Sequence, residues 1–286
     1  MSNTVVATTI SHTIGHRFKV WWMIFKISLE ERLAYRGDFA LGTLMRFLPI
    51  VTQIFLWGAI FSAGMTEEGK LFGYSYTDMV AYYLLTMLAR AFSSMPGLAT
   101  GIAAEIRSGE IKKYLIQPVD LLGYLFLRRI AHKVAYYAIA LLPFAFVFFL
   151  CRGYFSSFPD LLTFGAFLAS LVMGFLIGYY LEACIGLVGF WFLEVGSLLF
   201  IYMLLSFFLS GHMFPLDILP TSVKTVIELL PLKYLAYYPP AIFLGKIQGW
   251  ALVYGLLIEA VWLLFFVVLS RVMFHFGVKR YSGFGG

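Results

Sequence analysis

The chain has 286 residues, of which 61% are hydrophobic and only 13% are charged, with a formal net charge of +6. Soluble domains carry about 25% charged residues, so this composition excludes an ordinary soluble fold. It predicts an all-α, polytopic membrane protein. The basic residues cluster beside apolar segments, and the positive charge is therefore not a sign of nucleic-acid binding.

The first predicted element is an amphipathic helix over residues 17–36, lying in the cytosolic interface of the membrane. Its apolar side chains share one stripe at helical spacing: Phe18, Trp22, Phe25, Leu29 and Leu33. The charges of Glu30, Glu31 and Arg32 argue against a seventh membrane span here. The residues before it lack the apolar core and cleavage site of a signal peptide, so we expect no removable leader.

Six apolar runs are long enough to cross a membrane, which takes about 20 residues. They cover residues 39–63, 77–104, 122–150, 161–184, 190–211 and 249–273. Most Lys and Arg residues lie in the N-terminal segment, in the loop after the second run and in the tail. The excess of positive charge on cytosolic loops places both termini in the cytosol. We expect one transmembrane domain over 1–286.

The sequence EIRSGEIKKYLIQPVD, residues 105–120, is a polar island between two apolar runs. Ser108 is a candidate N-cap for a short helix over 109–117, which Pro118 would end. Asp120 would then cap the third span.

The predicted short helix has an apolar face bordered by charge. Ile111 and Leu115 share this face, and Glu110 and Lys113 lie beside it. Such a surface would fit a groove on another protein. An ordinary solvated loop is the alternative interpretation.

Between the fifth and sixth runs lies an apolar segment, residues 212–245, that is too long for a turn. Its prolines divide it into short pieces: Pro215, Pro220, Pro231, Pro239 and Pro240. Irregular backbone at membrane depth is tolerated only against protein or a wet cavity. We expect re-entrant or surface helices that form an outer cap.

Three charged residues fall inside the predicted spans: Arg46, Arg90 and Glu259. Such charges are costly in a bilayer, so each should face protein or water and have a partner. Either arginine could pair with Glu259, and Glu182 and Glu194 are alternative partners. The residues would form a polar wall along a substrate path, or a buried ion pair that holds the spans together.

No enzymatic motif is present in the sequence. It contains no G-x-x-x-x-G-K-[ST] phosphate loop, HExxH, CxxC or GxSxG, and its five histidines are scattered. We therefore assign no catalytic residue and no metal or cofactor site, and expect any ATP to be bound by a separate chain.

Several features together resemble the ABC-2-type transporter permeases. The pattern E-I-R-S-G-E-I-x-x-x-L-x-x-P over 105–118 is similar to their cytosolic coupling segment. The sequence SGHMFPLDILP resembles their Gly-x-x-x-Pro outer motif at Gly211 and Pro215, and the tail KRYSGFGG resembles the ending of one branch of small permeases. The interfacial helix and six spans occur in the family's order.

This resemblance implies the permease subunit of an ATP-driven exporter in a bacterial cytoplasmic membrane. Its partners would be a cytosolic ABC ATPase that binds ATP and Mg²⁺, a second copy or a sister permease, and membrane lipids. The cargo would be hydrophobic or amphipathic: a drug, an antibiotic, a lipid or a glycan-like molecule. The outer gate would comprise Gly211, Pro215 and Pro220. The coupling residues would be Glu105, Arg107, Ser108, Gly109, Glu110, Ile111, Leu115 and Pro118.

Three other classes of membrane protein stay open at this point, one of them a purely structural anchor for a complex. An ATP-independent channel or secondary transporter would favour an internal repeat, and none is visible. A membrane-embedded lipid-modifying enzyme would need a clustered acid, histidine or metal site, which the dispersed histidines do not offer.

Overall fold

The computed structural model describes residues 2–34, 36–64, 70–155, 158–192 and 194–281. These residues form helices and no strand, apart from an isolated antiparallel bridge between Leu71 and Tyr74. The α-helices are α1 (Ser2–Ala34), α2 (Arg36–Ser62), α3 (Tyr76–Ser93), α4 (Leu98–Arg107), α5 (Lys112–Leu115), α6 (Leu121–Leu150), α7 (Leu161–Leu187), α8 (Gly196–Leu209), α9 (Thr221–Glu228), α10 (Tyr238–Phe243) and α11 (Gly249–Arg280). Short 3₁₀ helices cover Arg152–Tyr154, Val188–Phe190, Leu216–Ile218 and Pro231–Leu235.

Three helical segments are long and apolar enough to cross a membrane: Leu121–Leu150, Leu161–Phe190 and Gly249–Arg280. Phe47–Ser62 and Gly196–Leu209 are shorter apolar helices. The all-α membrane class is confirmed, while the count of six spans stays a prediction.

The second predicted span, residues 77–104, is not one continuous helix. It is divided into α3 and α4 by an irregular stretch that contains Pro96 and Gly97. Ser94 is extended with ψ of 138°, and Gly97 takes a left-handed φ of 75°. Proline lacks an amide donor and disfavours a helical residue before it, which explains the interruption.

Contacts between residues divide the chain into two units: Met1–Met45 with Lys112–Ala145, and Arg46–Ile111 with Phe146–Gly286. In the first unit α1 is much longer than the predicted helix over 17–36. Phe18 and Trp22 are exposed on it. Its position in the membrane interface stays a prediction.

Two polar contacts stabilise the start of α6 within the first unit. Asp120 caps the helix, because its Oδ2 accepts a 2.7 Å hydrogen bond from the Gly123 amide. The predicted cap of the third span is thereby confirmed. Arg128 Nη2 lies 3.5 Å from Glu31 Oε1 on α1.

In the second unit α7 is the central helix and packs against α3, α4, α10 and α11. Glycines allow these close approaches: a Cβ atom at Gly178 would collide with the Ser93 carbonyl, and one at Gly186 would lie 2.8 Å from the Ala99 carbonyl. Small residues are the usual device for close helix packing in membranes.

The outer segment 212–245 forms short helical pieces, as its prolines predict. They are Leu216–Ile218, Thr221–Glu228, Pro231–Leu235 and Tyr238–Phe243. The fifth predicted span, 190–211, is shorter than expected, because α8 begins only at Gly196. Whether the short pieces enter the membrane stays a prediction.

Candidate functional site

The polar segment begins with the end of α4 rather than with a new helix. Ser108 is the C-cap of α4, and its amide donates to the Ala104 carbonyl at 2.9 Å. The prediction that Ser108 starts a helix over 109–117 is therefore wrong. The only helical turn that the structure describes in that range is Lys112–Leu115.

Gly109 is the reason why α4 stops here. Its φ is 80°, in the left-handed region that glycine adopts after a helix end. The Gly109 amide donates to the Ile106 carbonyl at 3.2 Å, and the Ile111 amide donates to the Glu105 carbonyl at 3.0 Å. The chain makes a tight bend at Gly109, and these hydrogen bonds fix its shape.

Exposure along the polar segment differs from the predicted apolar face. Ile111 is 1% exposed, so it cannot belong to an exposed apolar surface, whereas Leu115 is 37% exposed and Ile116 is 83% exposed. Glu110 and Pro118 are also exposed. The sequence analysis missed Ile116, although Leu115 and Ile116 form an apolar pair in an otherwise polar stretch and were a visible signal.

The turn at Gly109 is connected to the start of α8 within the second unit. Arg107 Nη1 lies 3.6 Å from Glu194 Oε2, and Glu194 Oε1 accepts a 2.7 Å hydrogen bond from the Gly196 amide. Thr100 and Leu199 are among the residues that line a cavity of about 120 Å³ beside this pair. Through its contact with Arg107, Glu194 links the end of α4 to the start of α8.

At the other end of the second unit, Asp217 collects three hydrogen bonds. Its carboxylate accepts from Tyr74 Oη at 2.8 Å, from Tyr237 Oη at 2.7 Å and from Lys224 Nζ at 2.7 Å. Burial by itself would raise the pKa of Asp217, but the hydrogen bonds from Lys224, Tyr237 and Tyr74 outweigh it and hold the pKa below its usual value.

Lys246 contacts the turn that contains Gly73 and Tyr74, just before α3, and the first helical turn of α3. Its Nζ lies 3.0 Å from Asp78 Oδ2, 2.9 Å from the Gly73 carbonyl oxygen and 4.6 Å from the centre of the Tyr74 ring. The turn around Gly73 is thus held by Asp217 through Tyr74 and by Lys246 directly.

The predicted outer motif lies next to this network. Gly211 has φ of 82°, and its carbonyl accepts a 2.5 Å hydrogen bond from Tyr82 Oη. A Cβ atom at Gly211 would lie 2.5 Å from Tyr237 Cβ. Pro215 is buried before the turn Leu216–Ile218, and Pro220 is exposed at the start of α9. Their role as a gate stays a prediction.

His212 follows Gly211 directly. Burial, assisted by the positive charge of Arg90, lowers the pKa of His212 to about 4. Its ring lies 5.3 Å from the ring of Phe207. The imidazole is therefore neutral at physiological pH.

Glu259 does not pair with Arg90, one of the pairings that the sequence allowed, whereas the alternative pairing of Arg90 with Glu182 stays a prediction. Glu259 is 0% exposed, and neither carboxylate oxygen has a hydrogen-bond partner in the described part of the chain. Arg90 Nη1 lies 3.5 Å from Ser206 Oγ on α8. Lys233 is the charged residue that acts on Glu259, so the predicted pairing of Glu259 with Arg90 is wrong. The side chain of Arg46 lies outside the described part of the structure.

The sequence analysis missed most of the hydrogen-bond network around Asp217. It considered the prolines of segment 212–245 and not its charged residues. Asp217 is the only acid among the residues from His212 to Ile227. A lone acid in such an apolar stretch needs a partner, and this was the available signal.

Comparison with known proteins identifies the family. The sequence profile of the family described as ABC-2 family transporter protein matches residues 47–285, which is most of the chain. A search of curated proteins finds no match. The matched region contains both the turn at Gly109 and the hydrogen-bond network around Asp217. The chain therefore belongs to the ABC-2 transporter family and is an ABC-2-type permease, a multi-pass membrane protein.

Proposed function

We propose that the chain is the transmembrane subunit of an ATP-driven exporter that moves a hydrophobic or amphipathic molecule outward. It works with a second permease, either a copy or a sister chain, and each permease binds a cytosolic ABC ATPase that holds ATP and Mg²⁺. Both termini face the cytosol of a bacterial cell.

The observation that carries this proposal is the hydrogen-bonded turn at the end of α4. A contact that transmits force must be stiff, and the left-handed Gly109 with its two backbone hydrogen bonds gives a defined shape to residues 105–111. Arg107 and Glu110 are exposed on this turn. They offer both signs of charge to an ATPase surface.

A packed route leads from the turn to the outer segment. The α4 backbone touches α7 at Gly186, through the Ala99 carbonyl. Further along α7, a Cβ atom at Gly174 would lie 2.7 Å from the Tyr234 carbonyl of the outer segment. Backbone contacts without intervening side chains leave little room for independent movement. A push on α4 would therefore reach the outer segment through α7.

The apolar surface of α8 favours an apolar cargo over a small ion. Its exposed side chains include Phe200, Met203, Leu204, Phe207 and Phe208. Ser206 is buried and lies beside Arg90. Such a surface offers a large apolar contact with one polar end.

A charge reversal at Glu110 tests the ATPase contact. We expect Glu110→Lys to reduce ATPase recovery in a mild-detergent pull-down and to abolish stimulation of ATP hydrolysis by the permease. Lys279→Glu, an exposed charge reversal in the last turn of α11, is the control and should have no effect. Normal ATPase recovery and stimulation with Glu110→Lys would refute the role of this turn.

A further inference from the structure

Glu259 lies at the centre of a polar cluster that the transport route described above does not use. The cluster brings together Glu259 of α11, Ser170 and Gly174 of α7, and Tyr234 of the outer segment. A Cβ atom at Gly174 would lie 2.7 Å from the Tyr234 carbonyl oxygen and 4.0 Å from Glu259 Oε1. Only a glycine allows these three elements to meet so closely.

The polar atoms of this cluster are buried and lack hydrogen bonds. Glu259, Ser170 and Tyr234 are each 0% exposed. Both oxygens of Glu259, Ser170 Oγ and Tyr234 Oη make no hydrogen bond of ordinary geometry among the described residues, although the Ser170 hydroxyl lies near enough to act on the Glu259 carboxylate. Buried polar groups are nearly always hydrogen-bonded, so several orphaned atoms in one place point to a bound species.

The charged and titratable groups around Glu259 come from three elements. Lys233, next to Tyr234, is half-buried and is the positive charge that acts on Glu259. Tyr234, Tyr238 and Tyr254 complete the neighbourhood, and Tyr238 Oη already donates to the Leu252 carbonyl at 3.0 Å.

Lys233 has a second acidic neighbour. Glu228 in α9 is exposed and also acts on Lys233. Burial lowers the pKa of Lys233 below its usual value, and both Glu228 and Glu259 oppose this effect. Lys233 thus lies between an exposed acid and a fully buried acid.

We propose that Glu259 is a proton-binding site whose ionised form is stabilised by the positive charge of Lys233. An ionised carboxylate that is fully buried without hydrogen bonds costs several kcal/mol, and a bound proton removes that charge. When Glu259 releases its proton to water, the carboxylate is left under the influence of the positive charge of Lys233. Proton loading therefore sets how strongly the segment Pro231–Leu235 is held against α7 and α11.

Infrared titration of the purified full-length chain tests this proposal. The carbonyl stretch of a protonated carboxyl group is resolved from that of a carboxylate, and the band shifts in D₂O. We expect a protonated-acid band in the wild type that disappears in Glu259→Gln. Glu228→Gln, an exposed acid on α9, is the matched control and should retain the band.

A second variant tests whether the charge of Lys233 stabilises the ionised form of Glu259. A positive charge nearby favours the ionised acid, so we expect Lys233→Met to move the midpoint of the band upward by about one pH unit or more. An unchanged midpoint would overturn the proposed influence of Lys233 on Glu259. A wild-type spectrum without a protonated-acid band between about pH 5 and 9 would overturn the proton site, whatever the folding of the variants.

Discussion

The carbonyl oxygen of Ser93, the last residue of α3, lies directly against Gly178 in the middle of α7. A Cβ atom at Gly178 would collide with this oxygen, which belongs to the backbone and cannot rotate away. The Ser93 hydroxyl also donates to the Leu235 carbonyl at 2.7 Å. The end of α3 is thus held between α7 and the outer segment.

Gly178→Ala should therefore separate α3 from α7. We expect a loss of about 1–3 kcal/mol in stability, the range for overpacking a tight core, measured as a lower apparent melting temperature in detergent. Gly165→Ala is the matched control, because it lies on the same helix with no heavy atom within 4 Å of the new Cβ. Equal melting temperatures for the two variants would show that the contact between α3 and α7 is looser than described.

Gly211→Ala tests the outer motif in a similar way. The new Cβ would meet the Tyr237 side chain at 2.5 Å, in addition to the strain of a φ of 82°. Gly73 has almost the same φ, 81°, but no heavy atom lies within 4 Å of its Cβ position. Gly73→Ala should thus show the backbone strain alone.

The expected difference between these two variants is about 1–3 kcal/mol, with Gly211→Ala the less stable. Thermal unfolding of both variants in the same detergent measures it. If Gly73→Ala is as damaging as Gly211→Ala, strain explains both and the packing against Tyr237 contributes nothing.

Helix positions were predictable from the sequence wherever an apolar run ends at a clear polar signal. The Asp120 cap and the start of α7 after Asp160 are of this kind, since each acid accepts amide hydrogen bonds from the first turn of its helix. Local chemistry determines such boundaries, and no tertiary contact is needed to find them.

The interruption at Pro96 and Gly97 and the end of α4 at Ser108 were misjudged for a different reason. The apolar run continues through Pro96 without a polar break, so hydropathy alone favoured one long span. At Ser108 the sequence was compatible with a helix start and with a helix end. The left-handed Gly109 decides between them, and a glycine just after a helix end is as recognisable as a serine N-cap.

The partners of Glu194, Asp217 and Glu259 could not be predicted, because each depends on which helices meet. The predicted spans contain Arg90 and Glu259, but a span prediction does not give the direction in which either side chain points. Asp217 contacts Tyr74, which is 143 residues away in the chain. Only the folded arrangement brings such groups together.

The hydrogen-bond network around Asp217 should weaken in acid. Its folded pKa lies below the unfolded value of about 3.9, so its contribution is complete above about pH 4 and is lost as the pH falls through the folded pKa. We expect Asp217→Asn to cost about 1–3 kcal/mol at neutral pH. The difference in melting temperature from the wild type should shrink in stronger acid.

Glu228→Gln is the control for this pH series, because Glu228 is exposed and only 4.0 Å from the same Lys224. It should keep the wild-type pH dependence. The melting temperatures of the wild type and Asp217→Asn would contradict the role of the Asp217 carboxylate if their difference stayed constant from pH 7 to about pH 3.

His212 should give a pH dependence in a different window. Its folded pKa is about 4, below the unfolded value of about 6.5, so the unfolded chain binds its proton first. Stability should therefore fall as the pH drops from about 6.5 to about 4 and then level off. His212→Gln should remove this part of the melting-temperature curve, whereas His275→Gln, at an exposed site on α11, should not.

Arg107 allows stability and transmission to be separated. Its contact with Glu194 is largely exposed, with 61% and 72% of the two side chains accessible, and exposed ion pairs contribute about 0–1 kcal/mol. We expect Arg107→Ala and Glu194→Ala each to leave the melting temperature nearly unchanged.

If Arg107 transmits force from the ATPase, Arg107→Ala should nevertheless reduce substrate-stimulated ATP hydrolysis in reconstituted vesicles. Arg107→Lys, which keeps the charge, should recover much of it. A large fall in stability with Arg107→Ala would instead make the residue a structural support of α4, and normal ATP hydrolysis would remove it from the transmission route.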